Sequence, residues 1–217
     1  MMSAWTRDPR LGQLRRALGD MESPKASLAA APGGRMEAAV ALVLRPRPEL
    51  DVLLIKRAVH ERDPWSGHMA LPGGRWEPGD PGLRHTAARE TWEETGVDLR
   101  VDGVDLGKLD DVQPANPTLP IERIAPFAFA VPPETEAIVA SHELESVHWV
   151  PIDLLAHPGT ASTTRIHFSG FSKVFPSYHV VGEHVWGLTH RILTRFLEAY
   201  RETPWATPPE RERSQER

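Results

Sequence analysis

Asp80 and Gly96 bracket the segment PGLRHTAARETWEET, which admits little besides a helix, and that helix dictates what the rest of the chain must supply. Asp80 can cap with its carboxylate, Pro81 suits the first helical position, and Gly96 can take the left-handed conformation past the end. These signals predict a helix over residues 81–95. At about 100° per residue, Glu90, Glu93 and Glu94 share roughly 100° of arc, with Ala87, Ala88, Thr91, Trp92 and Thr95 opposite. Small side chains let a helix lie close on a sheet, so the acidic face turns outward, toward whatever the Gly73-Gly74 turn presents. Arg89, one turn before Glu93, can hold it in an ion pair.

The sheet is legible on both sides of this helix. "MEAAVALVL" and "ELDVLLIKRA" are apolar, partly β-branched runs separated by "RPRPEL", the pattern of two buried strands and a turn. Further strands are expected at 101–109, at "ERIAPFAFAV" and at "ESVHWVPI". The stretch "FSKVFPSYHVVGEHVWGLTHRILTRFLEAY" reads as strand, turn and C-terminal helix. Ahead of them, residues 8–20 form an amphipathic helix with Leu11, Leu14 and Leu18 at helical spacing, an accessory lid or packing element, followed by the linker "ESPKASLAAAPGGR". The expected division is a helix and linker over 1–35, a main domain over 36–202, and a tail over 203–217 too rich in proline and charge to pack.

Composition narrows the function classes. A chain of 217 residues with 25% charged and 40% hydrophobic residues suits one decorated soluble domain. Its net charge of −5 argues against a nucleic-acid binder that works by neutralising phosphates. There is no cysteine, which excludes disulfides, thiolate metal sites and cysteine nucleophiles. The start lacks the apolar core of a secretory signal, and no run reaches the roughly 18 apolar residues of a membrane span, so the expected compartment is the cytoplasm.

Three carboxylates side by side repel one another unless they share a cation. An all-oxygen set suits a hard divalent ion, and magnesium shares its remaining positions with substrate phosphates. "ExxEE" alone is also the pattern of a solvated helix surface; the neighbours discriminate. Gly73-Gly74 ahead of the helix, Arg89 before the first glutamate and Gly96-Val97 after the last resemble the Nudix box, G-x5-E-x7-R-E-U-x-E-E-x-G-U. Asp80 stands where the pattern has Glu, eight residues rather than seven separate it from Arg89, and Thr91 replaces a bulky aliphatic residue. The resemblance implies an α+β Nudix fold, an α/β/α sandwich around a mixed β-sheet. It further implies that Glu90, Glu93 and Glu94, with the carbonyl of Gly73, hold Mg2+ or Mn2+, and that Asp80 is structural, as cap and partner of Arg89. A further catalytic glutamate is expected from a loop before a Trp-containing strand, where "SHELESVHWVP" offers Glu143 and, less well aligned, Glu145.

Upstream, "LLIKRAVHERDPWSGHMALPGG" is similar to the extended motif of the coenzyme A pyrophosphatase branch, LLTxR[S/A]-x3-R-x3-G-x3-FPGG. Leu53, Leu54, Arg57, Ala58, Arg62, Gly67 and Pro72-Gly73-Gly74 match; Ile55 and Leu71 depart, and four residues rather than three precede Gly67. The extra residue before Arg89 is usual in that branch. "HVWGLTHRIL" resembles its "iWGlTarIL". The resemblance spans about residues 36–198. Arginine suits phosphate through planar bidentate donors, so Arg57 and Arg62, with Gly74, are the substrate-binding candidates, and His68 is the one histidine singled out.

The resemblance implies hydrolysis of coenzyme A or its acyl derivatives to 4′-phosphopantetheine and adenosine 3′,5′-bisphosphate. Water would attack one phosphorus, with Glu93 or Glu143 as base. Alternatives are ADP-ribose, dinucleotide polyphosphates or nucleoside di- and triphosphates as substrate, or a non-catalytic nucleotide-binding regulatory module, against which the intact glutamate set speaks. The expected partner is a small nucleotide, with a homodimer left open and neither nucleic acid nor membrane.

Overall fold

The computed structural model describes residues 4–18, 36–60, 66–114, 121–168 and 170–203. Helix α1 (Pro9–Leu18) begins on proline, and Asp8 before it accepts a hydrogen bond from the Arg10 amide at 2.9 Å. Strands β1 (Met36–Pro46) and β2 (Leu50–Arg57) pair antiparallel, with Leu44 opposite Val52, so "RPRPEL" does form the turn between them. After β3 (Met69–Ala70), the short β4 (Gly73–Arg75) lies antiparallel on β1, with Gly73 opposite Val40. Helix α2 (Leu83–Thr95) follows, then β5 (Val104–Lys108), β6 (Ile121–Ala130) and β7 (Leu144–Pro151), at the three places where the sequence predicts strands. β6 runs parallel to β1 from Met36–Ile121 to Leu44–Ala130, and the other pairings are antiparallel. The sheet is therefore mixed, ordered β3-β2-β1-β6-β5, with β4 also on β1 and β7 also on β2.

Alternation along the central strands builds two cores. Ala38, Leu42 and Leu44 of β1 face one side with Val52 and Leu54 of β2; Ala39, Ala41 and Val43 face the other with Leu53. The second side receives α2 through Leu83, Ala87 and Ala88, and the two small alanines allow the close approach expected. The first receives Leu11, Leu14 and Leu18 of α1, so that helix is a packing element.

Past β7 the chain makes α3 (Ile152–Ala156) and a three-stranded antiparallel sheet of β8 (Ala161–Phe168), β9 (Phe171–Val180) and β10 (Glu183–Trp186), in the order β10-β9-β8. Sequence patterns do not signal β8 or α3. Helix α4 (Gly187–Arg201) closes the first core with Ile192, Leu193, Phe196 and Leu197. Among the described residues no helix is long and apolar enough to cross a membrane.

Two expectations for α2 need correction. The helix starts at Leu83, not at residue 81, with Gly82 at the cap and no side-chain cap bond, because the Asp80 carboxylate is committed elsewhere. Trp92 falls on the sheet-facing side by helical angle, but it is exposed, with the Arg100 guanidinium over its ring at 5.1 Å. The far end matches: Gly96 is left-handed at φ 72° and its amide bonds the Trp92 carbonyl.

Candidate active site

Asp80 and Arg89 organise the site from beneath. The Asp80 carboxylate accepts from Arg89 Nε and Nη2, both at 3.0 Å, from Thr86 Oγ1 at 2.8 Å and from the Glu77 amide at 3.2 Å. Burial alone would raise this carboxyl, but those hydrogen bonds outweigh it and hold Asp80 below the ordinary carboxylate range. Arg89 also donates to the Arg75 carbonyl and pairs with Glu93 at 3.0 Å and with Glu90 at 3.1 Å. One guanidinium thus joins β4 to the acidic face of α2.

The three glutamates occupy different environments. Glu93 is exposed and turned onto Arg89, the i,i+4 pair expected from the sequence. Glu90 is half-buried, and burial raises its carboxyl despite the nearby Arg89. Glu94 is only 4% exposed and accepts from the Gly73 amide at 2.9 Å. Burial pushes Glu94 up to about 8; the Gly73 N–H and the Arg57 charge oppose the rise, and the charges of Glu90 and Glu143 add to it.

The glycine turn explains itself at these positions. A Cβ on Gly74 would stand 2.7 Å from Glu90 Oε2 and closer still to Oε1, so the missing side chain is the room in which the carboxylate lies. Gly74→Ala is expected to leave the fold standing, because a flexible carboxylate can move aside. It should displace Glu90, weakening divalent-metal affinity roughly 10- to 100-fold. Titration calorimetry with Mn2+ checks this, and unchanged affinity would remove Glu90 from the metal set.

Arg57 ends β2, and its amide donates to the His68 carbonyl at 3.1 Å while its own carbonyl accepts from Gly67 at 3.1 Å. Ala58 N–H donates to the Glu143 carbonyl at 2.7 Å. The "LLIKRA" segment therefore puts three residues into the core, Leu53, Leu54 and Ile55, brings the Arg57 charge within reach of Glu94, and anchors the loop bearing Glu143. That loop also caps α2, since Ile138 and Ala140 donate to the carbonyls of Thr95 and Glu94 at 3.0 Å each. No local sequence signal marks that capping. Lys56, which alternation along β2 places on the opposite face from Arg57, pairs there with Glu145 at 3.0 Å and Glu183 at 2.7 Å, so Glu145 is an ion-pair partner of Lys56. Arg62 lies outside the described residues.

Among the described residues the candidate ligands are carboxylate and carbonyl oxygens, and the most buried carboxylate is raised by burial and by neighbours of like charge. That donor chemistry fits a hard divalent cation, the one partner that relieves all of these repulsions together. Among the described residues, no three such groups already surround one point: Glu93 rests on Arg89.

A NUDIX domain profile matches residues 20–169. The chain belongs to the Nudix family. It is 31% identical over 162 residues to a Yersinia pestis protein described as an uncharacterized Nudix hydrolase NudL, covering 74% of this chain and 78% of that one. It is 36% identical over 131 residues to an uncharacterized Schizosaccharomyces pombe protein, covering 58% of this chain but 40% of the yeast one, so the chain spans well under half of that relative. A solved MutT/nudix family protein from Enterococcus faecalis covers 91% of this chain and 76% of its own, at 18% identity and a TM-score of 0.49. The chain is a Nudix pyrophosphohydrolase, of a family that generally depends on divalent metal.

Proposed function

We propose that this Nudix hydrolase cleaves the pyrophosphate of coenzyme A or its acyl derivatives, giving 4′-phosphopantetheine or its acyl form and adenosine 3′,5′-bisphosphate. The observation that carries the reading is the placement of Arg57. The residue that the branch motif requires sits where its charge reaches Glu94, and the next amide tethers the Glu143 loop. Water adds to one phosphorus as the P–O bond to the other phosphate breaks.

Glu90, Glu93 and Glu94, with the Gly73 carbonyl, would hold Mg2+ or Mn2+, which when bound supplies Lewis acidity to the phosphoryl oxygens and lowers the pKa of water. Arg57 orients one phosphoryl group through its planar pair of donors. Glu143 or Glu93 accepts the proton of the attacking water. Arg89 is a positioning residue, fixing Glu90 and Glu93 through Asp80. Arg62 is the candidate for the ribose 3′-phosphate.

Hydrolysis of coenzyme A, dephospho-coenzyme A, ADP-ribose, NADH and dinucleotide polyphosphates, compared with Mg2+ and with Mn2+, tests the reading. Coenzyme A should show the highest kcat/KM, and Arg57→Ala should lower it roughly 10- to 100-fold by removing charge-assisted hydrogen bonds. A preference for ADP-ribose or a dinucleotide polyphosphate would overturn the assignment.

A further inference from the structure

The small sheet turns one face into the first core. Tyr178 and Val180 of β9 and Val185 of β10 pack into the first core. On the other face, Phe171, Lys173 and Phe175 alternate along β9, with Ile166 of β8 beside Lys173 and Trp186 of β10 beside Ser177. Phe171, Ile166, Phe175 and Trp186 belong to neither core cluster. Phe171 is 62% exposed.

Phe175, Trp186 and His68 are joined by ring contacts that lead back to the strand bearing Arg57. The Phe175 and Trp186 rings lie 5.0 Å apart, and the Trp186 and His68 rings 4.7 Å apart. His68 is bonded through its carbonyl to the amide of Arg57, whose charge acts on Glu94. Outward, Lys173 Nζ stands 5.3 Å over the Phe175 ring, leaving its alkyl stem along the line. No aspartate or glutamate occurs from Ala161 to Gly182, so nothing there repels a polyanion. The profile match ends at residue 169, and β9 and β10 lie beyond it.

We propose that this face of the β8–β9 ribbon binds the acyl end of the substrate's flexible acyl-pantetheine arm; the assignment rests on the coenzyme A reading above. Length chooses the arm over the base. From Phe171 to Phe175 the strand covers about 13 Å, and the two ring contacts extend the line to His68. A purine stacks on a single ring face, whereas an extended apolar chain matches a line of this kind.

The test is kcat/KM for coenzyme A, acetyl-coenzyme A and decanoyl-coenzyme A, with Phe171→Ser compared with Val174→Ser on the opposite face of the same strand. Phe171→Ser should lower the value for the decanoyl ester about tenfold and change those for coenzyme A and the acetyl ester less than about twofold, the scale of one aromatic burial. Val174→Ser should leave all three unchanged. Equal losses on all substrates, no loss on the decanoyl ester, or the same loss in both variants would overturn the ribbon assignment while leaving coenzyme A hydrolysis intact. Failure of the unsubstituted enzyme to cleave any of the three would remove both proposals.

Discussion

Glu94→Gln is expected to melt roughly 6–20 °C above the unsubstituted chain in chelator at pH 9, yet to lose roughly 10²–10³-fold in turnover when divalent metal is restored. Both effects come from one buried carboxylate. Burial pushes Glu94 up to about 8 from an ordinary 4.5, so the folded chain holds its proton more tightly than the unfolded chain. A carboxyl raised on folding costs nothing below the unfolded value; its penalty grows as pH climbs from about 4.5 to about 8, and is complete above that. On this scale the penalty is about 3–5 kcal/mol. Glutamine keeps an oxygen for the Gly73 N–H but carries no charge, so the penalty disappears. The two melting curves should converge near pH 4. Mn2+ should raise the melting temperature of the unsubstituted chain and barely move the variant, since only a ligand that prefers the folded state stabilises it. Equal melting at pH 9, or retained turnover, would contradict the role given to Glu94.

Gly73→Ala should act on the fold itself, costing about 3 kcal/mol and most of the activity. Gly73 has φ 151°, where side chains other than hydrogen are strained. An added Cβ would stand 2.6 Å from Val40 Cα and closer to the Ala39 carbonyl oxygen. Those are backbone atoms of β1, which pairs with β2, β4 and β6 at once and cannot step back. Displacing β4 would also move the Gly73 amide away from Glu94. Urea denaturation beside Gly74→Ala separates the cases: the first variant should lose stability, and the second should keep it. A Gly73→Ala chain as stable as the parent would mean that β4 does not need its close approach to β1.

What could be read in advance divides physically between local and distant partners. The acidic arc, the Arg89–Glu93 pair and the Gly96 cap depend on neighbours within a turn or so of helix, and the alternation of β1 and β2 places their residues on the correct faces. The start of α2 escapes a sequence reading because Asp80 carries a local capping signal that a longer-range demand overrides: Arg89, Thr86 and Glu77 together offer it more than a helix end does. Trp92 resembles a core residue by type, but the groove beneath α2 takes alanine and threonine. Lys56 meets Glu183 far along the chain, and the Glu143 loop crosses the end of α2 by main-chain bonds. No spacing within the sequence encodes either contact.

The parallel pairing of β1 with β6 has a consequence for biosynthesis. Met36 cannot find Ile121, nor Leu44 find Ala130, until the intervening chain has been made. During translation the glutamate helix therefore emerges before the strand that completes the surface beneath it, with Leu83, Ala87 and Ala88 awaiting Phe127 and Phe129. A nascent chain halted short of β6 would carry every carboxylate of α2 and still lack the platform that aligns them.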